Sequence, residues 1–137
     1  WAKREYKNLK IASEVINVPK PIITRNNVLI MEFLGKNMKA FPTLKEVNSK
    51  EPEKEFNIIL ENIGKLYKAG LIHADLSEYN ILMGKKIYFI DFAQATIKNN
   101  IMAQDFLKRD IENISRYFSN YFEVPDVEES LKGILNE

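Results

Sequence analysis

The chain has 137 residues, 45% hydrophobic and 28% charged, which suits one domain with a real core. A net charge of +1 argues against a strongly basic nucleic-acid binder, and the absence of cysteine excludes disulfides and thiolate metal sites. The longest apolar runs fall well short of the ~20 residues that cross a bilayer, residues 1–20 are too charged for a signal peptide, and the composition fits a cytoplasmic protein without a membrane role.

Residues 2–16 read as a helix whose apolar stripe holds Trp1, Leu9, Ala12 and Ile16, with Glu5 in its middle and Lys3, Lys7 and Lys10 opposite. A carboxylate on a buried face demands a cation or hydrogen bonds. The two prolines of Val18-Pro-Lys-Pro21 end the helix. Two strands follow at about 21–24 and 28–33, the second apolar enough to be buried on both faces. Thr43 with Glu46 predicts a capped short helix over 43–49, and Pro52 and Gly70 bracket a longer one. That helix places Phe56, Ile59, Leu60, Ile63, Leu66 and Tyr67 on one stripe. Residues 81–83 and 87–90 form a hairpin around Gly84-Lys85-Lys86. A helix over about 101–121 buries Ala103, Leu107, Ile111, Ile114 and Phe118, with Asp110 at the stripe's edge. Asp126 caps a final helix carrying Val127, Leu131 and Leu135. No repeat or linker divides the chain.

The chemistry concentrates in His73-Ala-Asp-Leu-Ser-Glu-Tyr-Asn80 and in the apolar strand that runs to Asp91. Phosphoryl transfer from a Mg-nucleotide needs one carboxylate to orient the attacking hydroxyl, and an amide plus a second carboxylate to hold metal. Asp75, Asn80 and Asp91 are of the required type, order and setting. His73 reads as a structural anchor of the loop rather than a base.

These motifs resemble the RIO family of atypical protein kinases. The resemblance extends through Trp1-x-x-x-Glu5, Met31-Glu-Phe-Leu-Gly35, Pro42-x-Leu44-Lys45, Ile90-Asp91-x-x-Gln94 and Phe106-Leu107-x-Arg109-Asp110, to about residue 120. Ala74 and Ser77-Glu78-Tyr79 are similar to the type-one subfamily, whereas type two tends to carry Gly-Asp-Phe in this loop. The resemblance implies an α+β, protein-kinase-like fold, with 1–34 the remainder of an N-terminal lobe plus hinge and 35–137 the C-terminal lobe. It implies Asp75 as the catalytic aspartate, and Asn80 and Asp91 as ligands of Mg2+ (or Mn2+). Met31 would back the adenine pocket, the backbones of Glu32 and Leu34 would bond adenine, and Leu82 and Ile90 would floor it. Glu5 would pair with a phosphate-contacting lysine, and Asp110 would bond the backbone of the catalytic loop. ATP is the implied substrate, with phosphorylation of the kinase's own metal-binding aspartate as an ATPase switch. The implied partners are the pre-ribosomal small subunit and its RNA.

There are departures. Asn99-Asn100 stands where the family usually has His-Pro. The short stretch between Asp91 and the next helix leaves no room for a long activation loop, which favours ATPase or autophosphorylation chemistry over peptide phosphorylation. The chain starts at Trp1 inside an amphipathic segment, and no glycine-rich loop or strand lysine precedes Glu5. A missing N-terminal lobe, from the same polypeptide or a second chain, is therefore expected, and the chain by itself is expected to be inactive. The alternatives are a small-molecule phosphotransferase of the aminoglycoside or choline kinase kind, and an inactive kinase-fold binding fragment.

Overall fold

The computed structural model describes residues 1–136. Helix α1 (Ala2–Ser13) buries Ala2, Asn8, Leu9 and Ala12, and stops short of the expected residue 16. Trp1, expected on the buried stripe, is 78% exposed, because it precedes the first turn as N-cap rather than following the helical phase. The helix packs on an antiparallel hairpin of β1 (Pro21–Arg25) and β2 (Val28–Met31). Asn26 and Asn27 both take positive φ, 51° and 65°, as a tight turn between twisted strands requires. β2 is not buried on both faces as its composition suggested. Ile22, Val28 and Ile30 are exposed, because β1 and β2 form a sheet of only two strands.

A second small hairpin, β3 (Gly35–Lys36) with β4 (Lys39–Ala40), follows directly. Gly35 has to be glycine, since a Cβ there would meet the Lys39 carbonyl oxygen and the Phe33 ring. Helix α2 (Leu44–Val47) carries the expected capping box, with Thr43 and Glu46 bonding each other's backbone N–H. Helix α3 (Pro52–Lys68) starts on its proline and ends before Gly70, whose φ of 95° suits the helix exit. Two-residue strands β5 (Leu71–Ile72) and β8 (Thr96–Ile97) pair around the expected hairpin of β6 (Ile81–Met83) and β7 (Ile87–Phe89).

Helix α4 (Ala103–Phe118) starts two residues later than expected, and Asn100 accepts the Met102 N–H through its side chain at 2.8 Å. Helix α5 (Val127–Leu135) begins after Asp126, but the Asp126 side chain makes no cap bond. The Lys108–Glu128 ion pair at 2.6 Å ties α5 to α4 instead.

The core lies among α1, α3, α4 and the short strands. Phe56 on α3 meets Phe118 on α4 edge to face at 5.6 Å, and both are almost fully buried. Burial of each ring is worth about 1.5–3 kcal/mol. The architecture is α+β, and its short strands carry the polar residues at their ends. No described helix is long and apolar enough to cross a membrane.

Candidate active site

The β6–β7 ladder brings two of the three polar residues together. Ile81 pairs with Phe89, and the Ile90 N–H continues the ladder onto the Asn80 carbonyl at 3.0 Å. Asn80 precedes one strand and Asp91 follows the other, so both emerge at the same end of the hairpin. Asp75 joins them through Asn80, whose Nδ2 donates to the Asp75 carbonyl at 2.7 Å. That bond orients the amide and leaves Asn80 Oδ1 as an available acceptor. The Asp75 and Asp91 carboxylates are exposed.

His73 ties the loop to the same strand. Its Nε2 donates to the Ile90 carbonyl at 2.7 Å, since a carbonyl only accepts, and its Nδ1 accepts the Asp75 N–H at 3.2 Å. The ring is buried and edge-on to Phe92. Burial holds its pKa below the usual histidine value, against the pull of the Ile90 carbonyl and of Asp75 and Asp91. With both nitrogens committed, His73 is an anchor rather than a base.

Helix α4 clamps the loop from below. Asp110 accepts the N–H of Ala74 at 2.9 Å and of Leu76 at 3.0 Å. Arg109 donates to the Ala74 carbonyl and Asn113 to the Leu76 carbonyl, both at 3.2 Å. Ala74 needs this hold, because its φ of 71° is left-handed without being glycine. Asp91 is in the same region at 61°. Such residues persist where their surroundings over-determine them, and they cluster at functional sites. Burial pushes the Asp110 carboxyl up to about 7, opposed by the two N–H bonds and by Arg109. The role of Asn113 escaped sequence reasoning; its spacing of three from Asp110 on the same helix was the available signal.

Beside these residues lies a cleft of about 280 Å³. Met31, Glu32, Phe33 and Leu34 line it together with Leu82, Ile90, Glu5 and Asp91. Seven of the nine expected site residues thus border one cavity, Asn80 joins it through its backbone bond to Ile90, and Asp75 through Asn80. The volume is at the small end for ligand pockets. The backbone offers a specific edge. The Glu32 N–H is spent on the Lys20 carbonyl at 2.8 Å, and the Leu34 carbonyl accepts from Phe41 at 3.0 Å. The Glu32 carbonyl and Leu34 N–H remain, one acceptor and one donor. A larger cleft of about 330 Å³ between α3 and the β6–β7 turn holds none of the expected residues.

Glu5 is half-buried. Its pKa is raised by burial first and by the Asp91 charge second, while a bond from the Phe92 backbone pulls it down. Among the described residues no lysine or arginine pairs with it.

Asn80 and Asp91 suit a magnesium ion better than a metal held wholly by protein. Among the described residues no group of three or more His, Cys, Asp or Glu gathers. Mg2+ keeps several waters and takes one or two carboxylates plus substrate phosphates, so an amide oxygen and a carboxylate beside the cleft fit it.

The sequence profile of the RIO domain matches residues 1–130. The chain belongs to the RIO family. The RIO-type serine/threonine-protein kinase Rio1 of Methanocaldococcus jannaschii is 45% identical over 120 residues, covering 86% of this chain and 41% of that protein. Rio1 of Thermoplasma acidophilum is 38% identical over 122 residues, covering 88% and 64%. The serine/threonine-protein kinase RIO1 of Saccharomyces cerevisiae is 43% identical over 126 residues, covering 86% and 26%. This RIO chain therefore spans from about a quarter to just under two thirds of these relatives. Their names agree with the type-one assignment suggested by Ala74 and Ser77-Glu78-Tyr79. Among solved structures, the Rio2 kinase-ADP/Mg2+-phosphoaspartate complex from Chaetomium thermophilum superposes with a TM-score of 0.76 at 24% identity, over 96% of this chain and 43% of that one. A further Rio2 kinase structure from that organism gives 0.78 at 23%, over 96% and 44%. At that identity the likeness establishes the protein-kinase-like fold and nothing finer.

Proposed function

We propose that this RIO chain is the catalytic part of a serine/threonine kinase and ATPase that transfers the γ-phosphoryl group of ATP. The observation that carries the reading is the convergence of Asp75, Asn80 and Asp91 at the end of one hairpin, beside an apolar cleft with a donor-acceptor backbone edge. In this reading residues 1–34 supply the hinge and part of the N-terminal lobe, and 35–137 the C-terminal lobe.

Adenine enters between Met31 and Leu34 on one side and Leu82 and Ile90 on the other. Its 6-amino group donates to the Glu32 carbonyl, and its N1 accepts from the Leu34 N–H. Guanine presents the reverse polarity, so the edge favours ATP over GTP. The phosphates run toward Asp91. Asn80 Oδ1 and the Asp91 carboxylate hold Mg2+, which supplies neutralisation of phosphate charge when bound. The Asp75 carboxylate orients the nucleophile and accepts its proton. Glu5 orients a phosphate-contacting lysine from an N-terminal segment or a second chain, and that cation relieves the repulsion between Glu5 and Asp91. The Rio2 complex with ADP, Mg2+ and phosphoaspartate supports Asp91 as the acceptor in an autophosphorylation or ATPase switch. A role in maturation of the small ribosomal subunit rests on the family, with the exposed Lys3, Lys7 and Lys10 as the face for RNA phosphates.

The test is ATP turnover with the N-terminal segment of a Rio1 relative supplied. Turnover should appear only then, and Asp75→Ala or Asp91→Ala should abolish it. Turnover that survives both substitutions would show that the chemistry lies elsewhere. Transfer to sugars or amino alcohols would instead favour the small-molecule phosphotransferase reading.

A further inference from the structure

Arg4 and Asn8 flank Glu5 on consecutive turns of α1, and neither enters the reading above. Both side chains reach the same backbone atom. Arg4 Nη2 donates to the Ala95 carbonyl at 3.1 Å, and Asn8 Nδ2 donates to it at 3.4 Å. Asn8 is buried and Ala95 fully so, which screens the Asn8 bond from water, while the Arg4 bond is part-buried. The Ala95 N–H closes a turn onto the Phe92 carbonyl at 3.1 Å. Ala95 is thus the far end of the turn that begins immediately after Asp91.

We infer that Arg4 and Asn8 are positioning residues for Asp91: as a two-donor latch on the Ala95 carbonyl, they hold α1 against the turn and keep Asp91 in its left-handed conformation. His73 holds the Ile90 carbonyl on the N-terminal side of Asp91, and on the C-terminal side the Phe92 backbone bonds Glu5, a contact that itself depends on α1 staying docked. A non-glycine residue at a φ of 61° relaxes unless both flanks are fixed. The same latch fixes the distance between Glu5 and Asp91, because Glu5 lies between the two donors on the helix. Two features make the hold strong for its size. One donor is charged, and the acceptor is a buried carbonyl with two lone pairs, so the bonds do not compete.

The inference rests on Asp91 as a metal ligand, and one set of variants separates the two ideas. ADP affinity is measured calorimetrically with and without Mg2+ for the wild type, Arg4→Ala, Arg4→Lys, Asn8→Ala and Asp91→Asn. Metal-free affinity should be common to the wild type and the Arg4 and Asn8 variants. The gain in affinity on adding Mg2+ should fall roughly fivefold in Arg4→Ala and in Asn8→Ala, and Arg4→Lys, which keeps a charged donor, should recover most of it. A full Mg2+ gain in both alanine variants, with the gain lost in Asp91→Asn, would overturn the latch and leave the metal site standing. A full gain in Asp91→Asn would overturn both. Amide hydrogen exchange of the nucleotide-free chain gives a readout that needs no ligand. Residues 91–95 should exchange faster in Arg4→Ala, whose exposed side chain leaves folding intact, with α3 unchanged. Equal exchange over 91–95 would also overturn the latch.

Discussion

Asp110 is the residue whose charge state matters most to the loop above it. Burial raises its pKa from 3.8 to about 7, although it accepts two N–H bonds. The folded state therefore binds a proton that the unfolded chain has released over that interval. Stability from this group is fully present below about pH 4 and is lost as pH rises through about 7, at up to about 1.4 kcal/mol per pH unit. Asp110→Asn removes the titration. Urea unfolding of both proteins from pH 4.5 to 8 should show the wild type losing stability relative to the variant as pH rises; parallel curves would contradict the assignment. Glu5 has the same sign, raised by burial and then by Asp91. Glu5→Gln should raise the melting temperature of this chain at pH 7 while removing the partner of the proposed lysine, a trade between stability and activity. Asp75 behaves differently, since its carboxylate is exposed and carries no packing. In the complemented enzyme, Asp75→Asn should lower kcat by about 10²–10⁴ and leave ADP affinity unchanged. A matching loss in both would mean that Asp75 binds rather than reacts.

At the scale of elements, local chemistry decided what could be read in advance. The capping box at Thr43 and Glu46, the proline start of α3 and the stripes of α3 and α4 are short-range signals, and each forms as read. Thr43→Ala should cost about 1 kcal/mol in chemical denaturation, because it leaves the Glu46 N–H without its acceptor. The hairpin flanked by Asn80 and Asp91 was legible for the same reason: two short apolar runs and a glycine turn sufficed. Two-residue strands β3, β4, β5 and β8 were not, since two residues carry no periodicity. The Arg4 and Asn8 bonds were also invisible, because their acceptor is a backbone carbonyl 91 and 87 residues away, and a carbonyl has no sequence signature. The misreading of β2 has another cause. Apolar composition alone does not say whether a strand is covered, and Val28 and Ile30 are exposed in this chain.

Across the whole molecule, that exposed hairpin is the main physical liability. Ile22, Ile23, Val28, Ile30 and Phe33 range from 44% to 62% exposed, on or beside a two-stranded sheet with free edges. Exposed apolar strands associate unless covered. Sedimentation should show concentration-dependent self-association of this chain. Ile22→Thr with Val28→Thr should reduce it without lowering the stability of the α3–α4 core, and a chain that stays monomeric at high concentration would contradict this. The family's serine/threonine kinases are longer than this chain, which spans 41% of the M. jannaschii protein. A covering lobe would bury the hairpin and bring a cation to Glu5 in one step.

The most direct test of the account is the Mg2+ dependence of ADP binding to this chain, compared with Asp91→Ala. If Asn80 and Asp91 hold a metal against nucleotide phosphates, Mg2+ should strengthen ADP binding to the wild type and leave Asp91→Ala unaffected. An ADP affinity indifferent to both Mg2+ and Asp91 would contradict the proposed site.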